Sequence, residues 1–391
     1  MTSALNTAAD LLTADEQAFR QQVCQLLCEE STRELVARCR RMPPGDEPGL
    51  LEVYRQLGER GWLAVHWPRR HGGLDGSIVQ KWIVTEEMIR HGVPELVHTL
   101  GIDLVGQAIS LYGTKSQQDR LLPSLARGES TANILFSEQE TGSDLSALQT
   151  RAEPDGDGWR LYGRKLYNMK AHLSDFALCA ARTSPSGVKF HGITLFIVPL
   201  RGPGVVVKPA WNITDEQFGD VVLDGIWVGP DDVLGDVDDG WQVVNQVLGL
   251  ERTGIEYATR ATRLMEALLR HAADTGRLEH PDHGQRLMAL EARVRAARLL
   301  AWRCVRNLSR ESPDEVHSAI AKWYSTEIGK QLSSYALEVS GLPGTLDARD
   351  GGAPVDGVFD AAYREAPGLT LASGTSEIML YLIAGSRLGL Q

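Results

Sequence analysis

The chain has 391 residues, 43 % of them hydrophobic and 23 % charged. That is long enough for two or three domains whose cores need neither disulfides nor a structural metal. Forty Lys and Arg stand against 51 Asp and Glu, and the net charge of −11 argues against a nucleic-acid binder.

The first residues, MTSALNTAADLLTADEQ, have neither the basic n-region nor the apolar h-region of a signal peptide. Thr13 with Glu16 makes a capping-box pattern that opens a helix through Phe19, Val23 and Leu27. Cys24 and Cys28 lie one turn apart on it. The sequence shows no second pair and no metal-like histidine spacing, so no metal site is expected. The five cysteines are odd in number and scattered, which reads as reduced thiols in a cytoplasm. Pro43, Pro44, Gly45 and Pro48 mark a loop, and Leu50 to Gly61 reads as a short helix. Apolar helices are expected over Ile78 to His91 and Leu100 to Tyr112, and another begins near Gln117. No apolar run reaches the length of a membrane span.

Residues 131–235 change character. Strand-like runs appear at 132–136, 193–198, 205–207 and 221–228, and Asp155-Gly156-Asp157-Gly158 is a hairpin signal. From Gly240 the pattern is helical again, with one long helix expected to His271, weakened at Gly254. Further helices are expected over Leu287 to Arg310, Val316 to Val339 and Ile378 to Arg387. The order α, then β, then α is an α+β arrangement without βαβ alternation. No G-x-G-x-x-G follows an expected strand, and no phosphate-binding P-loop sequence occurs.

Six phrases in this order resemble the acyl-CoA dehydrogenase family. They are GTKSQQDRLLPSLARGE (113–129), FSEQETGSD (136–144), LQTRA (148–152), GDGWRLYGRKLYN (156–168), LDGIWVGPDDVLGDVDDGWQ (223–242) and GTSEIMLYLIAGSRLGL (374–390). The resemblance implies a helical N-terminal domain (1–130), a central β-barrel domain (131–236) and a C-terminal four-helix bundle (237–391). It implies FAD as cofactor, an acyl-CoA or acyl-carrier-protein thioester as substrate, an electron-transfer flavoprotein as acceptor, and a homodimer or homotetramer.

By the same resemblance Phe136 and Ser137 run beside the flavin, and Gly142 and Ser143 meet its pyrophosphate. Tyr167 stands where the family has a tryptophan packed on the ring system. Met169 stands where the family has a hydroxyl near flavin N5, and methionine donates no hydrogen bond. Thr375 and Glu377 match a pair that touches FAD, and Glu338 and Gly341 a turn near its adenine half. The family's Arg-x-x-Phe-Gly turn is RLEHPDHGQRL (277–287) here, without Phe-Gly, and arginines 286, 293, 295 and 298 read as a solvated face.

The usual base position holds Ser373, whose backbone N–H remains a donor to the thioester carbonyl. A minority of the family carries the base on the long helix, in a phrase like Gly249-Leu250-Glu251-Arg252. Glu251 is therefore the expected base, with Arg252 at the substrate. Two alternatives stay open. One is a flavin monooxygenase on the same fold. The other is a non-catalytic subunit of a heteromer, as in relatives with a phrase like Gly284-Gln285-Arg286-Leu287.

Overall fold

A computed structural model describes residues 11–41, 50–93, 99–184, 190–251 and 253–390. The described residues form twelve α-helices and one eight-stranded sheet, arranged as a helical N-terminal domain, a central sheet domain and a helical C-terminal domain. They pack as two compact units, residues 1–42, 77–93 and 252–391 in one, residues 43–76 and 94–251 in the other.

The first unit is all helix: α1 (Ala14–Cys28), α2 (Glu30–Arg41), α4 (Ile78–Arg90), α8 (Ile255–Asp274), α9 (Pro281–Ser309), α10 (Glu315–Ser340), α11 (Val358–Leu371) and α12 (Ser376–Leu388). The expected capping box opens α1. Thr13 N–H donates to Glu16 at 2.8 Å, and Glu16 N–H donates to the Thr13 hydroxyl at 3.3 Å. Helix α10 packs against α8, α9, α11 and α12, and α4 bridges α1 and α8.

Charged pairs set inside this apolar packing fix the helices to each other. Arg298 of α9 forks onto Glu86 of α4 at 2.7 and 3.1 Å, and Trp302 Nε1 donates to the same carboxylate at 3.2 Å. Arg298 therefore does not belong to a solvated face; both partners are buried. Burial pushes the Glu86 carboxyl up. Arg298, Arg20 and the Trp302 hydrogen bond more than offset this, leaving it below the ordinary carboxylate range.

The single helix expected over Gly240 to His271 is two. Helix α7 (Gly240–Glu251) ends, and α8 starts at Ile255 behind Gly254, whose φ of +81° is left-handed. A side chain there would also press on Ala321 of α10, 3.0 Å away, so only glycine fits.

The second unit holds α3 (Leu50–Glu59), α5 (Gln107–Tyr112), α6 (Lys115–Ala126), α7 and the sheet. The helix expected from Leu100 is a π-helix over Thr99–Gly106 before α5 begins. Gly106 lies under the Trp67 ring, where a Cβ would sit 2.3 Å from it. The strands are β1 (Ala132–Leu135), β2 (Arg151–Asp155), β3 (Gly158–Met169), β4 (Phe176–Arg182), β5 (Ile193–Pro199), β6 (Val205–Trp211), β7 (Gln217–Val228) and β8 (Val233–Leu234).

The barrel implied by the resemblance takes the form of one sheet in the order β6-β7-β3-β2-β4-β5-β8, with β1 parallel to β4. The hairpin signal is correct: Asp155 pairs with Gly158 across a two-residue turn, with Gly156 at φ +67°. Strand β4 was not marked by any pattern, because both of its faces are buried and alternation is lost. Leu178 and Ala180 join a core with Ile109, Leu122 and Val244, while Ala177, Cys179 and Ala181 join one with Leu161, Phe196 and Val221.

Replacing Arg298 by alanine leaves Glu86 charged and buried without its partner. The expected loss of stability is about 3–5 kcal/mol, read by urea unfolding near neutral pH. Because the native carboxyl sits below its unfolded value, this contribution is present above the ordinary carboxylate pKa and disappears as pH falls through the native one. Glu86→Gln should accordingly lose less stability than the parent protein on acidification.

Candidate active site

In the second unit the segment after β1 is held by a buried cation. Lys165 of β3 is fully buried and donates to Phe136 O at 3.0 Å and to Glu138 Oε1 at 2.9 Å. Glu138 also accepts from Thr150 N–H at 2.9 Å, the Thr150 hydroxyl at 2.6 Å and Gln149 N–H at 2.6 Å. Burial pushes the Glu138 carboxyl up, but Lys165 and these hydrogen bonds hold it below the ordinary range. One carboxylate thus joins residues 136–138, residues 149–150 and β3. Leu166 N–H donates to Ser137 O at 2.9 Å, so Ser137 runs alongside β3.

Glu138 and Thr141 exchange backbone hydrogen bonds of 2.8 and 3.3 Å and close a tight turn. Gly142 and Ser143 follow it, exposed. A Cβ added at Gly142 would meet nothing within 4 Å. The Thr141 hydroxyl is buried without a hydrogen-bond partner among the described residues.

Past Lys165 the β3–β7 ladder slips, and Tyr167 takes φ +61° with 68 % of its surface exposed. A left-handed conformation costs a non-glycine residue about 1–2 kcal/mol, and an exposed ring recovers little by burial. Buried Asn168 bridges the slip, donating to Lys165 O at 2.9 Å and Gly219 O at 3.0 Å. Met169 O accepts from Asn133 of β1 at 2.7 Å. Ser137 and the turn that leads into Gly142 and Ser143 are thus tied to β3, the strand that carries Tyr167 and Met169. Phe136 contributes backbone there, while its side chain joins the apolar core with Leu104, Leu178 and Val244.

The first unit holds the remaining expected residues. Ser373 and Gly374 are consecutive left-handed residues, at φ +53° and +93°. Fully buried Lys322 of α10 donates to Gly374 O at 2.7 Å and Thr370 O at 3.3 Å, which places a cation at the C-terminal end of α11 and pins this turn. Thr375 caps α12, accepting from Ile378 N–H at 3.2 Å. Exposed Glu377 lies in its first turn, where its own backbone N–H and the Thr375 hydroxyl hold its carboxyl below the ordinary range. Glu338 pairs with Arg286 at 3.0 Å, and Gly341 ends α10 at φ +67°. Glu251 is the last residue of α7, four positions after buried Val247; its side chain and all of Arg252 lie outside the described residues.

Models of the acyl-CoA dehydrogenase N-terminal, middle and C-terminal domains match residues 13–129, 133–226 and 238–388. The chain belongs to the acyl-CoA dehydrogenase family. Acyl-CoA dehydrogenase IpdE1 of Mycobacterium tuberculosis is 30 % identical over 390 aligned residues, 96 % of this chain and 98 % of that one. Among solved structures, the Tcur3481-Tcur3483 steroid ACAD matches with a TM-score of 0.91 at 27 % identity, covering 97 % of this chain and 98 % of that one. The ChsE4-ChsE5 complex from Mycobacterium tuberculosis matches at 0.87 and 26 %, with the same coverage.

Acyl-CoA dehydrogenases are flavoprotein oxidoreductases, and the cofactor is FAD. The second unit fits such a group on its own evidence. It has an aromatic ring held out in a strained conformation, a glycine with open space around it, and a buried hydroxyl lacking a partner beside that glycine. Lys165, Glu138 and Lys322 were missed as organisers of the site. A signal existed for the first: Lys165 shares a strand face with buried Leu161, where a charge requires a buried partner.

Lys165→Met strands the Glu138 carboxylate in the core. Urea unfolding should show a loss of about 3–5 kcal/mol. Adding Glu138→Gln to the same chain should recover part of it, since no buried charge then remains.

Proposed function

We propose that the chain converts an acyl-CoA to its trans-2-enoyl-CoA, with Glu251 as the base. The observation that carries this reading is the turn pinned by Lys322. It retains a rigid left-handed backbone at Ser373 while offering no acid there, which leaves Glu251, one turn past Val247, as the candidate carboxylate.

The Glu251 carboxylate takes the α-proton, and the Ser373 backbone N–H donates to the thioester carbonyl as negative charge develops on its oxygen. The chemistry FAD supplies is acceptance of the hydride that leaves the β-carbon. The two electrons of the broken Cβ–H bond depart with that hydride, those of the Cα–H bond form the new double bond, and the proton stays on Glu251. Arg252 is assigned to the substrate by the family resemblance.

Ser137, Tyr167 and Met169 would hold the isoalloxazine, Gly142 and Ser143 the pyrophosphate, and Thr375 and Glu377 a second stretch of the cofactor. Glu338 and Gly341 lie at its adenine half. Met169 removes a hydroxyl donor from the ring system and so alters how strongly the reduced form is held. The enzyme works in the cytoplasm as a homodimer or homotetramer and passes electrons to an electron-transfer flavoprotein. A second reading, a non-catalytic subunit of a heteromer, is favoured by the two solved relatives, each named as a pair.

The test is the visible spectrum of the purified chain, taken without oxygen before and after adding acyl-CoAs of differing length and ring content. Flavin bands that bleach with a member of the panel are expected. Bands that persist throughout, with oxygen consumed once the flavin is reduced, would contradict dehydrogenation and favour a monooxygenase. Flavin retained only after co-expression with a second chain would support the second reading.

A further inference from the structure

Helices α1 and α4 pack side by side in the first unit. Each brings two metal-ligating residues, spaced one helical turn apart, to the same place: Cys24 and Cys28 on α1, Glu87 on α4 and His91 at its C-terminal cap. The Cys24 sulfur, a Glu87 oxygen and a His91 ring nitrogen all lie within 4.8 Å of one another. Cys28 lies at the edge of this group, its sulfur 3.4 Å from His91 Nε2. The second pair that the sequence lacked beside the two cysteines comes from another helix.

We propose that Cys24, Cys28, Glu87 and His91 form a structural zinc site that staples α1 to α4.

The donor set suits the ion. Two thiolates and an imidazole select a borderline-soft divalent cation such as zinc over magnesium or calcium. Zinc bonds of about 2.0–2.3 Å hold tetrahedral donors roughly 3.3–3.8 Å apart; Cys28 Sγ and His91 Nε2 are 3.4 Å apart, and the Cys24 Sγ–Glu87 Oε2 pair opens from 2.9 Å to admit the ion. Four protein donors leave no open position, which is the arrangement of a structural site rather than a catalytic one.

The surroundings already orient the donors. His91 Nδ1 lies 2.8 Å from Glu87 O, so an N–H at that position donates to the carbonyl and Nε2 presents its lone pair towards Cys28. Arg20 donates to Glu87 Oε1 at 2.6 Å, leaving Oε2, the oxygen 2.9 Å from the Cys24 sulfur, on the cluster side. Charge balances as well: two thiolates, one carboxylate, one guanidinium and a divalent cation sum to zero. Cys28 is exposed, which gives the ion a route in. The remaining cysteines, Cys39, Cys179 and Cys304, are buried elsewhere. None of the four donors is among the residues assigned to flavin or substrate.

The test is a titration of the FAD-loaded, fully reduced full-length chain with Co(II) under anaerobic conditions. Tetrahedral d–d bands at wavelengths beyond the flavin absorption, with sulfur-to-cobalt charge transfer, are expected to saturate at one equivalent and to vanish when Zn(II) is added. Cys24→Ser with Cys28→Ser should abolish these bands while the flavin spectrum stays. Absence of thiolate–cobalt bands in the parent protein, or their persistence in the double variant, overturns the site. Should the double variant fail to fold, alkylation of the parent protein decides. Zn(II) must slow iodoacetamide labelling of Cys28 at least tenfold, and equal labelling with and without Zn(II) overturns the proposal.

Discussion

The buried Lys165–Glu138 pair is the contact on which the second unit depends. An ammonium and a carboxylate taken out of water are tolerated only when every remaining donor and acceptor is filled. Here the partners come as backbone and side-chain groups from three separate stretches of chain, Phe136, Gln149 with Thr150, and β3 itself. Satisfying one charge pair therefore positions the segment that carries Ser137, the turn that leads into Gly142 and Ser143, and the slip that turns Tyr167 outward. The strain at Tyr167 is held because the residues beside it cannot relax without exposing Lys165 or breaking the Asn168 bridge.

The helical unit repeats the device. Arg298 and Glu86 fix α9 to α4, and Lys322 gathers the carbonyls of the 370–374 turn. In each case a charge buried among apolar side chains specifies one geometry where hydrophobic packing alone would accept several. The left-handed Ser373–Gly374 pair is an example, since nothing in the local sequence demands that conformation of a serine. In the proposed reaction this is the backbone that meets the thioester.

Much of this was legible in the chain. The capping box at Thr13, the Asp-Gly hairpin and the amphipathic helices announce themselves through local chemistry that the structure repeats. Collinear phrases around Gly142, Tyr167 and Thr375 carried the family. Other features were hidden for physical reasons. Strand β4 is buried on both faces and so shows no alternation, and α11 contains Pro367 and Gly368, which read as breakers. Arg298 on an otherwise charged helix looks solvated until Glu86, far away in sequence, appears opposite it. The same holds for Cys24 and Cys28, whose partners Glu87 and His91 sit on a different helix. Pairings across distant segments leave almost no trace in a single sequence.

The central functional claim is that Glu251 removes the α-proton. It is tested most directly by hydrogen exchange at the substrate α-carbon. An acyl-CoA that bleaches the flavin is incubated with the enzyme in deuterated water without an electron acceptor, and deuterium at Cα is read by mass spectrometry. The account predicts exchange with the parent enzyme and a fall of about 10²- to 10⁴-fold in Glu251→Gln, with FAD still bound. Equal exchange in the two proteins would contradict it and place the base elsewhere.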